Sequence, residues 1–493
     1  MAITPGGSLN SVPAPVAQTL STNYLDLNSS TGWAQQYLPD LMEKEAEVFG
    51  PRTISGFLSK VGAEESMTAD QVIWSEQGRL HLSYKGDIDA ENVITIQSDI
   101  DGNFGSSATL VEAGMTTHGI RLNDTVIVSN ANVTVKCLVT AISGADVTVA
   151  PYDGVAIAAL TTNLATTILV YGSEYAKGTG YNAAAAATVE SRGANEPDFK
   201  TFSNKPIILK DYYEVSGSDA SRIGWVEITG EEGQSGYLWY LKAEADTRAR
   251  FNDYVEMAML EGVKGSNTNA VDTFLGGVIA GNDELVGTEG LFAAIESRGN
   301  LTSGITGVNA ATDLAEFDAI LAEFDKQGAI EENMMFVNRA TSLAMDDMLA
   351  SMNSYGAGGT SYGVFDNEED MALNLGFSGF RRGSYDFYKS DFRYLNDLAT
   401  RGGINAANAA DAIRGVIIPA GTSTVYDQQL GKNLKRPFLH VRYRASQTDN
   451  RKMKTWTTGS VGASTTALDA MQVHMLSERC LVTQGANNFM LMK

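Results

Sequence analysis

Four histidines, His81, His118, His440 and His474, are the first residues to weigh for chemistry. None forms an H-x-x-x-H pair, and none stands at ligand spacing from Cys137 or Cys480, the two cysteines of the chain. No G-x-S-x-G elbow or G-x-x-x-x-G-K-[ST] phosphate loop occurs. The glycine-rich stretch Asn353–Gly363 lacks the lysine and the preceding strand that a phosphate cradle needs, and reads as a plain loop. The run Asp99–Gly105, "DIDGNFG", has calcium-loop spacing at Asp99, Asp101 and Asn103. Phe104 stands where the sharp turn needs glycine, and Leu110 where the closing glutamate belongs, so a β-turn is the better reading. Adjacent acids at Glu331–Glu332 and Asp366–Asp370 read as solvated faces, since acid–base catalysis needs a partly buried pair in a cleft. No metal, cofactor or enzymatic activity is expected.

One charged feature stands out. Between Gly431 and Lys454, Lys432, Lys435, Arg436, Arg442, Arg444, Arg451, Lys452 and Lys454 are opposed only by Asp449. In "FLHVRYRA", Leu439, Val441 and Tyr443 share one strand face, and His440, Arg442 and Arg444 share the other. A cationic strand face in a chain of net charge −23 admits three readings. It can contact acidic neighbouring subunits, contact enclosed nucleic acid, or be a solvated face with local ion pairs.

The elements that would position these residues are legible in outline. At 493 residues the chain exceeds a single core, and 43% hydrophobic with 19% charged residues is a globular composition. The acidic surface disfavours general nucleic-acid binding. There is no disulfide framework, no secretory signal pattern and no apolar run long enough to span a membrane, so a reducing cytoplasm is expected. Residues 1–50 read as a polar arm with a short amphipathic pattern through Trp33, Tyr37, Leu41 and Val48. Around Gly78, Val72 and Trp74 precede a turn and Leu80, Leu82 and Tyr84 follow it, the pattern of a hairpin. Residues 86–195 are β-rich. Val133, Val135, Cys137 and Val139 alternate with polar neighbours, the turn "SGAD" follows, and Val147 and Val149 resume the alternation, which predicts a small barrel or sandwich.

"KPIILKDYYEVSGSDAS" then predicts a strand and turn. Tyr237–Gly262 predicts a helix about 39 Å long, with Leu238, Leu241, Ala245, Ala249, Val255 and Met259 as its apolar residues and Gly262 as its stop. "NAATDLAEFDAILAEFDKQG" predicts a helix capped by Thr312 or Asp313, with Leu314, Phe317, Leu321 and Phe324 on one face. "MMFVN" predicts a buried strand, "RATSLAMDDMLASM" a helix, and "RGVIIPAG" and "RPFLHVRYRA" strands. The tail from Thr465 predicts a helix or a strand pair, then a final apolar strand.

In this order of parts the chain resembles the major capsid protein of tailed bacteriophages, the fold named after a Hong Kong phage, and is most similar to the capsid proteins of crAss-like phages. The stretch "NKPIILKDYYEVSGSDASRIG" running into "YLWYLKAEADTRARFNDYVEMAMLEG" resembles the family's lead-in strand and spine helix. "AEFDAILAEFDKQG" with "MMFVNRATSLAMDDML" resembles the helix–strand–helix of its axial domain. The resemblance implies an α+β capsid fold: an N-terminal arm at 1–50, an extended-loop hairpin at 51–85, an inserted β-domain at 86–195, a peripheral domain with the spine at 196–265, an axial domain at 266–430 and closing strands at 431–493. It implies hexamers and pentamers of an icosahedral shell around double-stranded DNA. The implied partners are further copies of the chain, portal, scaffolding and decoration proteins, and DNA on the inner face, with no membrane. The place would be the virion capsid, assembled in the bacterial host cytoplasm. The intersubunit or DNA-facing residues would be Lys435, Arg436, His440, Arg442, Arg444, Arg451 and Lys452. Some family members cross-link a lysine of the extended loop. Lys60 lies in that region without a matching motif, and that chemistry is not carried over. The alternative is a ligand- or carbohydrate-binding β-module on an α/β body, although residues 119–151 contain no aromatic side chain.

Overall fold

A computed structural model describes residues 63–77, 79–90, 92–100, 118–130, 133–154, 166–178, 199–220, 228–229, 235–236, 238–265, 270–275, 286–327, 330–352, 379–420, 422–427, 432–460 and 465–493. The arm at 1–50, Lys60, the Asn353–Gly363 loop, the acids at 366–370 and Asp101–Gly105 lie outside these residues. The described chain forms two compact units, one of residues 1–74 with 203–493 and the other Ser75–Phe202.

The chain opens with β1 (Ala63–Met67) and β2 (Val72–Gln77). The Ser75–Phe202 unit is a closed barrel of β3 (Ser83–Ala90), β4 (Val93–Asp99), β5 (Asp124–Ser129), β6 (Thr134–Ser143), β7 (Asp146–Pro151) and β8 (Thr166–Ser173), in the order β3-β4-β7-β6-β5-β8. The alternation in the sequence is realised: Val135, Cys137, Val139, Val147 and Val149 point inward and are buried with Ile94, Ile96, Val126, Val128 and Ile168. Gly86 sits at a bulge of β3, where a Cβ would lie 2.6 Å from the Thr95 carbonyl oxygen, so only glycine fits the curvature.

The hairpin expected around Gly78 does not form. β2 pairs with β9 (Phe199–Asn204) as a two-stranded ribbon, while β3 pairs with β4 and β8. Tyr84 is drawn into the barrel core instead, where its hydroxyl accepts the Gly119 N–H at 2.6 Å. Alternation alone could not distinguish a hairpin arm from the first strand of a barrel.

In the other unit β10 (Ile207–Ser216) leads, past a two-stranded ribbon of β11 (Ile228–Thr229) and β12 (Ser235–Gly236), to α1 (Leu238–Glu261), which ends one residue before the expected Gly262; Tyr237 lies outside the described residues. The first Gly262 N–H after it closes on the Ala258 carbonyl at 3.0 Å. The buried face differs from the expected one. Ala243, Thr247, Phe251, Val255 and Met259 are buried, whereas Ala245 is exposed and Ala249 half-buried. Residues four apart advance about 40° round a helix, so this stripe winds along α1 instead of running straight. Thr247 tolerates burial because its hydroxyl donates to the Ala243 carbonyl at 2.8 Å.

After α1 come α2 (Leu291–Arg298), β13 (Asn300–Thr302), α3 (Ala310–Gln327), β14 (Glu332–Val337), α4 (Arg339–Met352), β15 (Gly379–Arg382), β16 (Tyr385–Asp391) and β17 (Gly415–Pro419). The remaining strands are β18 (Thr422–Asp427), β19 (Lys432–Pro437), β20 (Leu439–Arg444), β21 (Lys454–Gly459), β22 (Ala470–Thr483) and β23 (Met490–Met492). The tail is thus one 14-residue strand and a short final one, with no helix from 470 to 483.

Two sheets organise this unit. In the six-stranded sheet the order is β13-β23-β17-β14-β16-β15. Its central strands are covered on both faces. Met335, Val337, Ile417, Met490 and Met492 pack against Phe317, Ile320 and Phe324 of α3 and Met345, Met348 and Leu349 of α4. The alternate residues Phe336, Val416, Ile418 and Leu491 pack against Met259 and Leu260 of α1 and Leu291, Phe292 and Ile295 of α2. A strand buried on both faces reads as a continuous apolar run, as "MMFV" and "VIIP" do. The cap of α3 is Asn309, whose side chain accepts the Thr312 N–H at 2.9 Å, and not Thr312 or Asp313. Asp313 is buried and accepts the Gly307 N–H at 2.8 Å, tying down the preceding loop.

The five-stranded sheet is built on β22. β10 runs antiparallel along one side of it, and β21 and β20 lie in tandem along the other. β1 completes the sheet as a parallel neighbour of β20. Phe251 and Val255 of α1 pack on Val473 and Met475, so the long helix lies on one face of this sheet.

Candidate intersubunit surface on the cationic strand

The basic run is divided by the fold. Lys435 and Arg436 lie on β19, which pairs with β18 in a two-stranded ribbon. His440, Arg442 and Arg444 lie on β20 in the five-stranded sheet. Arg451 and Lys452 follow in the connection to β21.

His440 is 1% exposed, so it belongs to the interior and not to a solvent-facing cationic row. Its Nδ1 lies 3.2 Å from the Pro437 carbonyl oxygen, and its Nε2 is 3.5 Å from Arg442 Nε. The alternation of the strand placed it correctly beside Arg442. What covers it comes from residues remote in sequence.

The arginines and lysines are met by carboxylates. Parallel pairing sets Glu64 beside Val441 and Glu65 beside Arg442. Arg442 pairs with Glu65 at 2.8 Å. Arg444 pairs with Asp70 and lies 3.5 Å from Glu478. Arg451 Nε is 2.5 Å from Glu478 Oε2, close enough for an ion pair although its N–H is not aligned as a hydrogen bond. Lys452 pairs with Glu64 and sits 5.4 Å from the centre of the Tyr443 ring. Arg479 reaches the same Glu64 at 3.2 Å, and Lys454 pairs with Asp449 at 2.8 Å. Burial draws the Arg479 guanidinium below its usual value, and the Glu64 carboxylate opposes that shift. Asp449 is held below the usual carboxylate range by the hydrogen bond from Lys454.

Six cations therefore face five carboxylates, three of them from β1 and the turn after it. At this near balance the cluster has little net field with which to attract a polyanion. Glu64, Glu65 and Glu478 were not singled out in the sequence. A parallel pairing between strands at opposite ends of the chain leaves no local signal, and acids among polar residues look like any solvated face.

Among the described residues, no group of three or more His, Cys, Asp or Glu side chains could hold a metal ion. No helix among them is long and apolar enough to cross a membrane. Both cysteines are buried free thiols, pushed by burial to about 11 for Cys137 and about 12 for Cys480.

No protein-family model and no curated protein sequence matches this chain. Among solved structures it is similar to one from Microbacterium phage Oxtober96, at 8% identity over 95% of this chain and 99% of that one, with a TM-score of 0.38. It is similar to "Capsid of empty GTA particle computed with C5 symmetry", at 11% identity over 95% and 98%, TM-score 0.34. A third is "Asymmetric unit of bacteriophage PhiM1 mature capsid", at 8% identity over 65% and 78%, TM-score 0.33. At these TM-scores the likeness carries no assignment.

Proposed function

We propose that the chain is a structural shell protein, the major capsid protein of a tailed bacteriophage of the crAss-like kind. The observation that carries this reading is the arrangement of α1. A lead-in strand, β10, feeds a 24-residue helix that lies on the same five-stranded sheet, beside a separate layer of helices on a six-stranded sheet. That arrangement supports the peripheral and axial layout that the resemblance implies. Copies of the chain would form hexamers and pentamers of an icosahedral shell around double-stranded DNA, with portal, scaffolding and decoration proteins as partners. Assembly would take place in the bacterial cytoplasm and the product would be the virion. In this reading 1–50 is the arm, 51–85 the extended loop, 86–195 the inserted domain, 196–265 the peripheral domain, 266–430 the axial domain and 431–493 the closing strands. In the same reading Lys435, Arg436, Arg442, Arg444, Arg451 and Lys452 would be the residues that meet subunits or DNA. Many modest contacts, repeated by symmetry, would supply the stability of the particle.

The barrel gives the alternative little support. Eight strands leave an interior just wide enough for side chains, and this barrel has six, filled by Ile94, Ile96, Val126, Val128 and Cys137. A ligand could be met only on its outer surface.

Electron microscopy of the purified, concentrated protein, alone and with the products of neighbouring genes, tests the proposal. Uniform closed shells or hexameric rings are expected. A protein that stays monomeric under every condition, partners included, would sink it.

A further inference from the structure

The acids of β1 sit on β20 in a way that invites exchange. Of the side chains described on this five-residue strand, only Met67 is buried, while Glu64 and Ser66 are exposed. Its hold on the sheet therefore rests on pairing from Ala63 to Met67 against His440 to Arg444, and on ion pairs. Glu64 meets Lys452 and Arg479, Glu65 meets Arg442, and Asp70 in the following turn meets Arg444. Lifting β1 would expose little apolar surface. It would strand a row of backbone groups on β20 and leave the part-buried Arg479 without Glu64, so the seat cannot stay empty at low cost. An identical strand from another copy restores every one of these contacts. Thr68–Gln71, the tether to β2, spans about 14 Å when extended, which sets how near the second seat must be.

We infer that the outer edge of β20, with Arg442, Arg444, Lys452 and Arg479, is a receptor for an acidic extended strand. In the single subunit β1 fills it; in the assembled state β1 of a second copy does. This rests on the shell reading. A nucleic-acid backbone would match the charge but has no peptide groups to pair with the β20 edge, so the structure favours a strand.

The test uses the pair Ser66→Cys and Tyr443→Cys, which are direct partners in the β1–β20 register and take no part in the ion pairs. Neighbouring strands lie about 4.8 Å apart, within disulfide range. Oxidised chains are denatured and run on a non-reducing gel, from dilute protein and from assembled particles. An intrachain link when dilute and an interchain ladder in particles is the expected result. Adding Glu64→Gln, Glu65→Gln and Asp70→Asn should reduce the interchain fraction about tenfold, since four modest ion pairs are removed. Particles that carry only intrachain links overturn the exchange and leave the shell reading standing. Interchain links without particles keep the exchange and sink the shell reading, and neither links nor particles sink both. Loss of the intrachain link on adding a short DNA duplex, with no interchain link, assigns the row to nucleic acid and overturns the inference.

Discussion

Two residues carry consequences that can be measured directly. Lys389 of β16 and Asp346 of α4 form an ion pair with side chains only 6% and 9% exposed, and Lys389 also donates to the Ser342 carbonyl at 3.2 Å. Lys389→Ala removes the cation facing a buried carboxylate and should cost about 3–5 kcal/mol. The double variant Lys389→Met with Asp346→Leu should come close to the parent in stability, because an apolar pair of similar size avoids the desolvation. Denaturant unfolding of both variants decides it; equal losses in the two would show that the charge is not what matters. His118 of the barrel has its imidazole held below the usual value by burial. The Nε2–H bond to the Gly144 carbonyl at 3.0 Å pulls the other way, and Arg121 adds to the depression. A depressed histidine contributes stability above its unfolded value, about 6.5, and that stability is lost as pH falls toward the folded value, because the unfolded chain takes up a proton that the barrel resists. The melting temperature should therefore drop as pH falls below about 6.5, and His118→Gln should flatten that slope. An unchanged slope in the variant would mean another group titrates. The sequence could place His118 and His440 near strands, but it could not say that both are buried. That depends on which remote segments cover them.

At the scale of elements, local periodicity was a good guide to existence and a poor one to partners. α1, α3, α4 and the strands β14, β17 and β20 lie where their patterns predict. The face of α1 was misjudged because Phe251 and Thr247 were passed over in favour of alanines, and four-residue spacing winds round the helix. Likewise Val72–Tyr84 has the alternation of a hairpin, yet its two strands pair elsewhere. Ala249→Pro stands mid-helix, where it removes a hydrogen bond and clashes with the preceding turn at a cost of about 3 kcal/mol or more. It should abolish assembly, scored by electron microscopy of the purified protein. Normal particles from this variant would show that α1 is no spine.

For the molecule as a whole, the β-rich stretch could be recognised as a domain because its strands are close in sequence and alternate cleanly. The five-stranded sheet could not, because its strands come from residues 63–67, 207–216 and 439–483. If the chain is the shell protein proposed above, the barrel would be an added clamp, through which one copy grips another or an outer protein docks. Removing β3 to β8 and closing β2 onto β9 with a short turn should leave the five- and six-stranded sheets folded but lower particle yield or thermal stability, measured by shell counts and melting. Particles unchanged in both respects would refute the clamp. The order of the strands along the chain has a consequence for synthesis. Among the described residues, β22 is the only strand that pairs with all of β10, β20 and β21, and β23 lies between β13 and β17, yet both are made after all of those neighbours. Neither sheet can close on the ribosome until these late residues emerge, so a chain interrupted before them has no finished sheet to offer. Incomplete subunits would be excluded from any growing assembly by topology alone, without a separate proofreading step.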